Sequence, residues 1–264
     1  MRIDVWADLV CPFCHVGRRR LDLALEQFEH GDQFDVIWHS FQLDRNAPAV
    51  SDRPVIDQVA DKYGVSREQM VATHEHMATE AAEVGLDFQW EQLQGGNSYD
   101  AHRLIHFARA QGRESAVTDR IMRGWYSEGA ALGDRDTLTT LAVEAGLDEH
   151  AVRELLAGDE YGIDVRTDEA MAAQLGITAV PTFVFDQKYA VQGAQPVEII
   201  ANALRHTWED QGNPATPAPS GGCGGGCCGG GGSCGSAEGA DGTEAQGCGD
   251  GACGDLCGTQ AHAH

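Results

Sequence analysis

Two cysteines separated by two residues, Cys11-Pro12-Phe13-Cys14, are the side chains in this chain best placed to do chemistry. A thiol pair at this spacing can close a disulfide across one helical turn, or supply half of a zinc site. Zinc normally takes four ligands, usually from two such pairs, and no further cysteine occurs before Cys223. A redox pair needs only a strand that hands over to a helix, and the flanks supply both. Ile3-Asp4-Val5-Trp6 is a β-type run, and Leu21, Ala24, Leu25 and Phe28 follow at the i, i+3, i+4, i+7 spacing of one helix face. Pro12 suits the first helical turn, where its missing N–H costs nothing. Cys11 then sits at the positive helix end, where free N–H groups and the dipole favour a thiolate. Cys11 is therefore read as the exposed nucleophile and Cys14 as the resolving thiol.

The elements that must hold this pair can be read along the chain. Residues 1–43 alternate strand, helix and strand, with Phe34-Asp35-Val36-Ile37-Trp38 as the second β-rich run, a pattern that predicts a parallel βαβ unit. Residues 44–178 change character. Pro48 and Pro54 break the chain, and helices are expected near 54–63, 66–84, 98–111, 115–129, 136–145, 148–156 and 159–175. Gly64, Gly85, Gly112, Gly146 and Gly176 punctuate their ends, and Ser66 with Gln69, and Asp136 before Thr137, read as N-terminal caps. Residues 179–209 return to α/β: Thr182-Phe183-Val184-Phe185 and Tyr189-Ala190-Val191-Gln192 flank a short turn, and Val197, Ile200, Ala201, Leu204 and Trp208 share a helix face. The order βαβ, helices, ββα is an α/β thioredoxin fold with a helical domain inserted between its halves. Residues 210–264 form a Gly-dominated, Cys-rich tail behind a Pro-rich linker, expected to be disordered because it offers little apolar surface to bury.

Composition narrows the partners. The 264 residues carry a formal charge of −23, which argues against nucleic acid or an anionic membrane surface. No run of 18 apolar residues occurs, and Met1-Arg2-Ile3-Asp4 leads straight into a strand, so a cytoplasmic protein is expected. Lys62 and Lys188 are the only lysines among 18 basic residues, a balance that fits a salty cytoplasm.

Several stretches together resemble the DsbA family of thiol–disulfide oxidoreductases, and within it the FrnE-type subgroup. They are Asp8-Leu9-Val10 before the cysteine pair, Gly17-Arg18-Arg19-Arg20-Leu21, Trp38-His39-Ser40-Phe41-Gln42-Leu43, Asp100-Ala101-His102-Arg103-Leu104, Gly176-Ile177-Thr178-Ala179-Val180-Pro181 and Gly193-Ala194-Gln195-Pro196. The likeness spans about residues 1–209. It implies that Pro181 is a cis-proline facing the redox pair, and that Val180 offers its backbone to an extended substrate. It implies disulfide exchange with protein or low-molecular-weight thiol substrates, an unidentified electron donor or acceptor, and no required metal or organic cofactor. Phe13 stands where many members carry Trp or Tyr.

Other residues invite weaker readings. Asp8 reads as a strand-end residue that can act on the Cys11 proton. His15 reads as an exposed first-turn residue or a thiolate partner. His102 and His106, at i and i+4, read as a solvated or groove-lining face, His74-Glu75-His76 as helix surface, and Asn97 as a cap or turn residue. Two rivals remain. Kappa-class glutathione transferases and related isomerases share the fold but usually carry Ser at the position of Cys11. The tail offers Cys248, Cys253, Cys257, His262 and His264, soft ligands suited to zinc or copper, and Cys248 and Cys253 have the spacing of a second cysteine pair found in some FrnE-type proteins. The same pair could instead exchange disulfides with Cys11 and Cys14.

Overall fold

The computed structural model describes residues 1–215. Strand β1 (Arg2–Ala7) lies parallel to β2 (Asp35–Ser40), in register from Arg2 opposite Asp35 to Ala7 opposite Ser40, and helix α1 (Pro12–Gln27) joins them. On the other side of β1, β5 (Thr182–Phe185) runs antiparallel, followed by β6 (Tyr189–Gln192), giving the order β2-β1-β5-β6. β1 is buried from Ile3 to Ala7 because both faces of the sheet are covered. Helix α9 (Val197–Asp210) packs beside α1. The three-residue loop Asp186-Gln187-Lys188 joins the paired residues Phe185 and Tyr189, and Asp186 and Gln187 have φ of 45° and 57°, the two positive values of a primed turn closed by Lys188 N–H donating to Phe185 O at 2.9 Å. This is the thioredoxin fold with helices inserted between its halves.

The inserted helices fall within a few residues of expectation: α2 (Val55–Tyr63), α3 (Arg67–Glu83), α4 (Tyr99–Ala110), α5 (Glu114–Glu128), α6 (Arg135–Glu144), α7 (Glu149–Ala157) and α8 (Gly162–Gln174). Ser66 and Gln69 form the expected capping box. The cap of α6 is Asp134, not Asp136: its carboxylate accepts from Thr137 N at 2.9 Å, because a capping side chain reaches the N–H three residues on. A two-residue ladder of β3 (Val50–Ser51) with β4 (Gly95–Gly96) is too short to leave a periodic trace in the sequence. One apolar core runs from Ile3, Val5 and Phe183 through Leu104, Ile121 and Leu138 to Leu155, so sheet and inserted helices are packed as one interior. Among the described residues no helix is long and apolar enough to cross a membrane.

Candidate active site

Cys11 is the N-cap of α1, with φ −110° and ψ 114°, and Pro12 occupies the first helical position. The strand-to-helix handover thus falls where the sequence places it. Cys14 N–H donates to Cys11 O at 3.0 Å, and both thiols are free. Cys14 is 0% exposed and Cys11 only 5%, so the nucleophile lies recessed rather than open. Cys11 lines a cleft of about 270 Å³ walled by α1, α2, α3 and Trp125, while Phe13, 45% exposed, stands at its mouth. The wall is mostly apolar, with Val10, Leu43, Val59, Met70, Met77 and Leu93.

The Val180–Pro181 bond is cis, and the Val180 carbonyl accepts from the Cys11 thiol at 4.0 Å. Gly17 permits this approach: a Cβ there would lie 2.8 Å from Pro181 Cγ and 3.2 Å from the Phe183 ring. Gly193 N–H donates to Pro181 O at 2.7 Å, and Thr182 Oγ1 donates to Ala179 O at 2.7 Å, which fixes the loop from both ends.

Asp8 is more than a strand-end residue. It is fully buried, accepts from Leu43 N at 2.7 Å and Val10 N at 3.3 Å, and lies 3.3 Å from His102 Nε2. Burial works against its carboxylate, but the His102 hydrogen bond and charge, with Leu43 N–H and Ser98, outweigh it and hold the group below the usual carboxylate range. Burial pushes the Cys14 thiol well above its ordinary value, reinforced by the hydrogen bond and charge of Cys11 and by the Asp8 charge, and opposed by the Asp8 backbone.

Four histidines depart from the sequence reading. His15 is buried edge-on against Tyr126, and burial, then the Arg18 charge, lower it to about 4 against the pull of Asp119; it is neutral near pH 7 and is neither exposed nor a cationic thiolate partner. His102 and His106 are both buried, because the face they share meets Asp8 on one turn and Asp168 on the next. His74 is buried as well, donating Nδ1–H to Met70 O at 2.9 Å, whereas His76 stays exposed. Asn97 acts as the expected turn residue, its Oδ1 accepting from Tyr99 N at 2.9 Å, and it also ties Gln42, Arg45 and Ala47 to the start of α4.

The sequence reading missed a second buried polar cluster. His39 lies between two carboxylates, with Nδ1 2.7 Å from Asp168 Oδ1 and Nε2 2.6 Å from Asp4 Oδ1, and its ring stacks on Trp6 at 4.5 Å. The second Asp168 oxygen accepts from Ser40 N at 2.8 Å and lies 3.1 Å from His106 Nε2. An acid at Asp4, inside a β-rich run, was the one signal available. Among the described residues no group of three His, Cys, Asp or Glu side chains is placed to hold a metal. Cys248, Cys253, Cys257, His262 and His264 lie outside the described residues.

Comparisons with known proteins place this fold in a family. The structure of a probable DsbA oxidoreductase from Streptomyces coelicolor, SCO1869, is 39% identical, with a TM-score of 0.77 over 85% of this chain and 96% of that one. The cytosolic disulfide reductase DsbM from Pseudomonas aeruginosa shares the fold at 18% identity, with a TM-score of 0.57 over 79% of this chain and 99% of that one. The protein YwbO of Bacillus subtilis is 29% identical over 207 residues, 77% of this chain and 96% of its own length. The model of the DSBA-like thioredoxin domain matches residues 2–205. This chain belongs to the DSBA-like thioredoxin domain family, that of the DsbA-like thiol–disulfide oxidoreductases.

Proposed function

We propose that this protein is a cytoplasmic, FrnE-type thiol–disulfide oxidoreductase that exchanges disulfides with protein or low-molecular-weight thiol substrates through Cys11 and Cys14. The observation that carries this reading is the free thiol pair at the start of α1, with Cys11 facing both the Val180 carbonyl and an apolar cleft. Cys11 attacks a substrate disulfide and forms a mixed disulfide; Cys14 then attacks Cys11 and releases the reduced substrate. Val180 offers its backbone to the substrate segment beside the reacting sulfurs. The raised Cys14 thiol keeps its proton until Cys11 is engaged, which sets the order of the two steps. The chemistry needs no metal and no organic cofactor. A structure of the Pseudomonas aeruginosa enzyme DsbM with GSH shares this fold, which supports glutathione as one small-thiol partner. Cys11 distinguishes this chain from the kappa-class pattern, because it supplies its own sulfur. For the tail thiols we propose disulfide exchange with Cys11 and Cys14, with zinc or copper binding as the alternative, checked by mapping the disulfides of metal-free Cys14→Ser protein and by the metal content of protein purified without a metal column.

Trapping tests the main reading. Cys14→Ala should accumulate mixed disulfides through Cys11 and lose turnover in insulin reduction, and Cys11→Ser should lose both. Wild-type turnover in Cys11→Ser would overturn it.

A further inference from the structure

A second cavity, of about 370 Å³, is separate from the redox pair: none of the residues that line it also lines the Cys11 cleft. Four arginines converge on it from four segments: Arg45 from the loop after β2, Arg103 from α4, Arg135 from the first turn of α6 and Arg166 from α8. The whole chain has only 18 Lys and Arg residues against 41 Asp and Glu, so four guanidiniums around one cavity reverse the balance locally. Their own partners do not cancel them. Asp100 is shared by Arg103 at 2.7 Å and Arg135 at 2.9 Å, and Glu169 by Arg45 at 3.0 Å and Arg166 at 2.6 Å. Asp159 also lines the cavity, so four positive charges meet three negative ones.

Sharing leaves donors over. Arg103 is buried and fully engaged: Nη1 reaches Asp100, Nε donates to Glu160 O at 2.8 Å, and Nη2 donates to Leu155 O and Gly158 O at 2.7 Å. The other three side chains are about half exposed, and each is held by part of its guanidinium only. Arg135 is bonded through Nε, Arg45 through Nε and Nη2, and Arg166 through Nη1, which reaches both Glu169 and Gln42. Both Nη atoms of Arg135, Nη1 of Arg45, and Nε and Nη2 of Arg166 have no acceptor among the described residues. The frame around them is fixed. Arg166 lies over the Tyr99 ring at 4.5 Å, and Asn97 Nδ2 donates to Arg45 O at 3.2 Å and Ala47 O at 3.0 Å. Gly133, just before α6, lets the Arg45 loop pack against it, since a Cβ there would lie 1.4 Å from Ala49 O.

We propose that this cavity is a binding site for a small oxyanion, a phosphate or carboxylate group held between the unused N–H groups of Arg45, Arg135 and Arg166. A guanidinium presents its N–H groups as a rigid fork that matches the oxygens of either group. The anion supplies the missing negative charge and accepts the leftover donors in one step. Asp159, whose side chain makes no hydrogen bond or ion pair among the described residues, opposes the anion and moderates its affinity. The site stands independently of the disulfide-exchange reading.

Calorimetric titration of the full-length protein with sodium phosphate and, separately, sodium succinate tests it, with sodium chloride holding the ionic strength constant. Saturation by phosphate alone assigns a phosphate group, and saturation by succinate alone a carboxylate. Saturation by neither overturns the proposal. Arg135→Gln leaves Asp100 its pair with Arg103, and it should weaken binding about tenfold, as expected for hydrogen bonds to a charged group. Asp159→Asn should tighten binding about two- to fivefold, the size of a neighbouring surface charge and an effect that structural damage does not produce. Affinity unmoved by Arg135→Gln, or weakened by Asp159→Asn, would overturn the assignment. If Arg135→Gln does not fold, phenylglyoxal modification of the wild-type protein decides. Protection of Arg45, Arg135 and Arg166 by the anion supports the site, and equal modification with and without it overturns the site.

Discussion

Replacing Asp168 by Asn removes one charge from the middle of a buried cluster while nearly preserving shape. The carboxylate serves three partners: His39 Nδ1 at 2.7 Å, Ser40 N at 2.8 Å and His106 Nε2 at 3.1 Å. The Asn amide can keep one acceptor, but its NH2 then faces the Ser40 N–H donor, and His39 retains only Asp4. Breaking a buried pair by removing one partner costs about 3–5 kcal/mol. For a chain of this size each kcal/mol moves Tm by about 2–4 °C, so the midpoint should fall by about 6–20 °C. The pH dependence has a definite sign. Burial opposes the Asp168 carboxylate, but His106, His39 and Ser40 N–H hold it below its ordinary 3.8, so its contribution is present above about pH 4 and lost as pH falls. Burial also opposes the His39 imidazolium, but Asp168 and Asp4 raise it above 6.5, so its contribution is full below about 6.5 and lost as pH rises through its folded value. The difference between wild type and variant should therefore be largest between about pH 4 and 6.5 and shrink on both sides. Calorimetry across that range, with a double-mutant cycle against His39→Gln, gives the coupling directly. A midpoint loss below about 2 °C, flat with pH, would show that desolvation cancels the pairing and refute the reasoning.

Three further outcomes follow from individual contacts. Gly17→Ala places a methyl 2.8 Å from Pro181 Cγ, so it should cost about 1–3 kcal/mol and slow substrate exchange; an unchanged urea midpoint would contradict the packing. Asp8→Asn removes a charge that raises the Cys14 thiol, so release of the mixed disulfide should reach its maximum at lower pH, and a shift to higher pH would instead identify Asp8 as the proton acceptor for Cys14. At a net charge of −23, molar KCl should raise the unfolding midpoint by screening self-repulsion, and equal midpoints in low and molar salt would count against adaptation to a salty cytoplasm.

The backbone plan was legible because periodicity reports which side of an element is covered. Leu21, Ala24 and Leu25 marked the inner side of α1, and the continuous run of Val36 to Trp38 marked β2, though not its place at the edge of the sheet. Gly17 inside a helix pattern was a readable sign of close approach, though not of what approaches. Buried polar residues were not legible. Periodicity reads His102, His106 and His15 as surface, and only the partners that α4 and α1 meet in space make them interior. Those partners are far away in the chain: His39 and Asp168 are 129 positions apart, and His102 and Asp8 are 94 apart.

The order of the two thiols is a consequence of placement rather than of residue type. Both are cysteines on one helical turn, yet only Cys11 meets the cleft, because the N-cap is the last position outside the helix while Cys14 has turned into the core. Burial makes the Cys14 thiolate costly, and the negative charges of Cys11 and Asp8 add to that cost. These contributions do not persist equally through the cycle. In the proposed exchange, once Cys11 is tied to a substrate sulfur its charge is gone, so one obstacle to ionising Cys14 disappears at the moment Cys14 must attack. Asp8 is unaffected by that bond, which makes its charge a constant background that slows premature attack throughout. The pair thereby times itself: Cys14 is held as a thiol while Cys11 is free, and released when Cys11 is engaged.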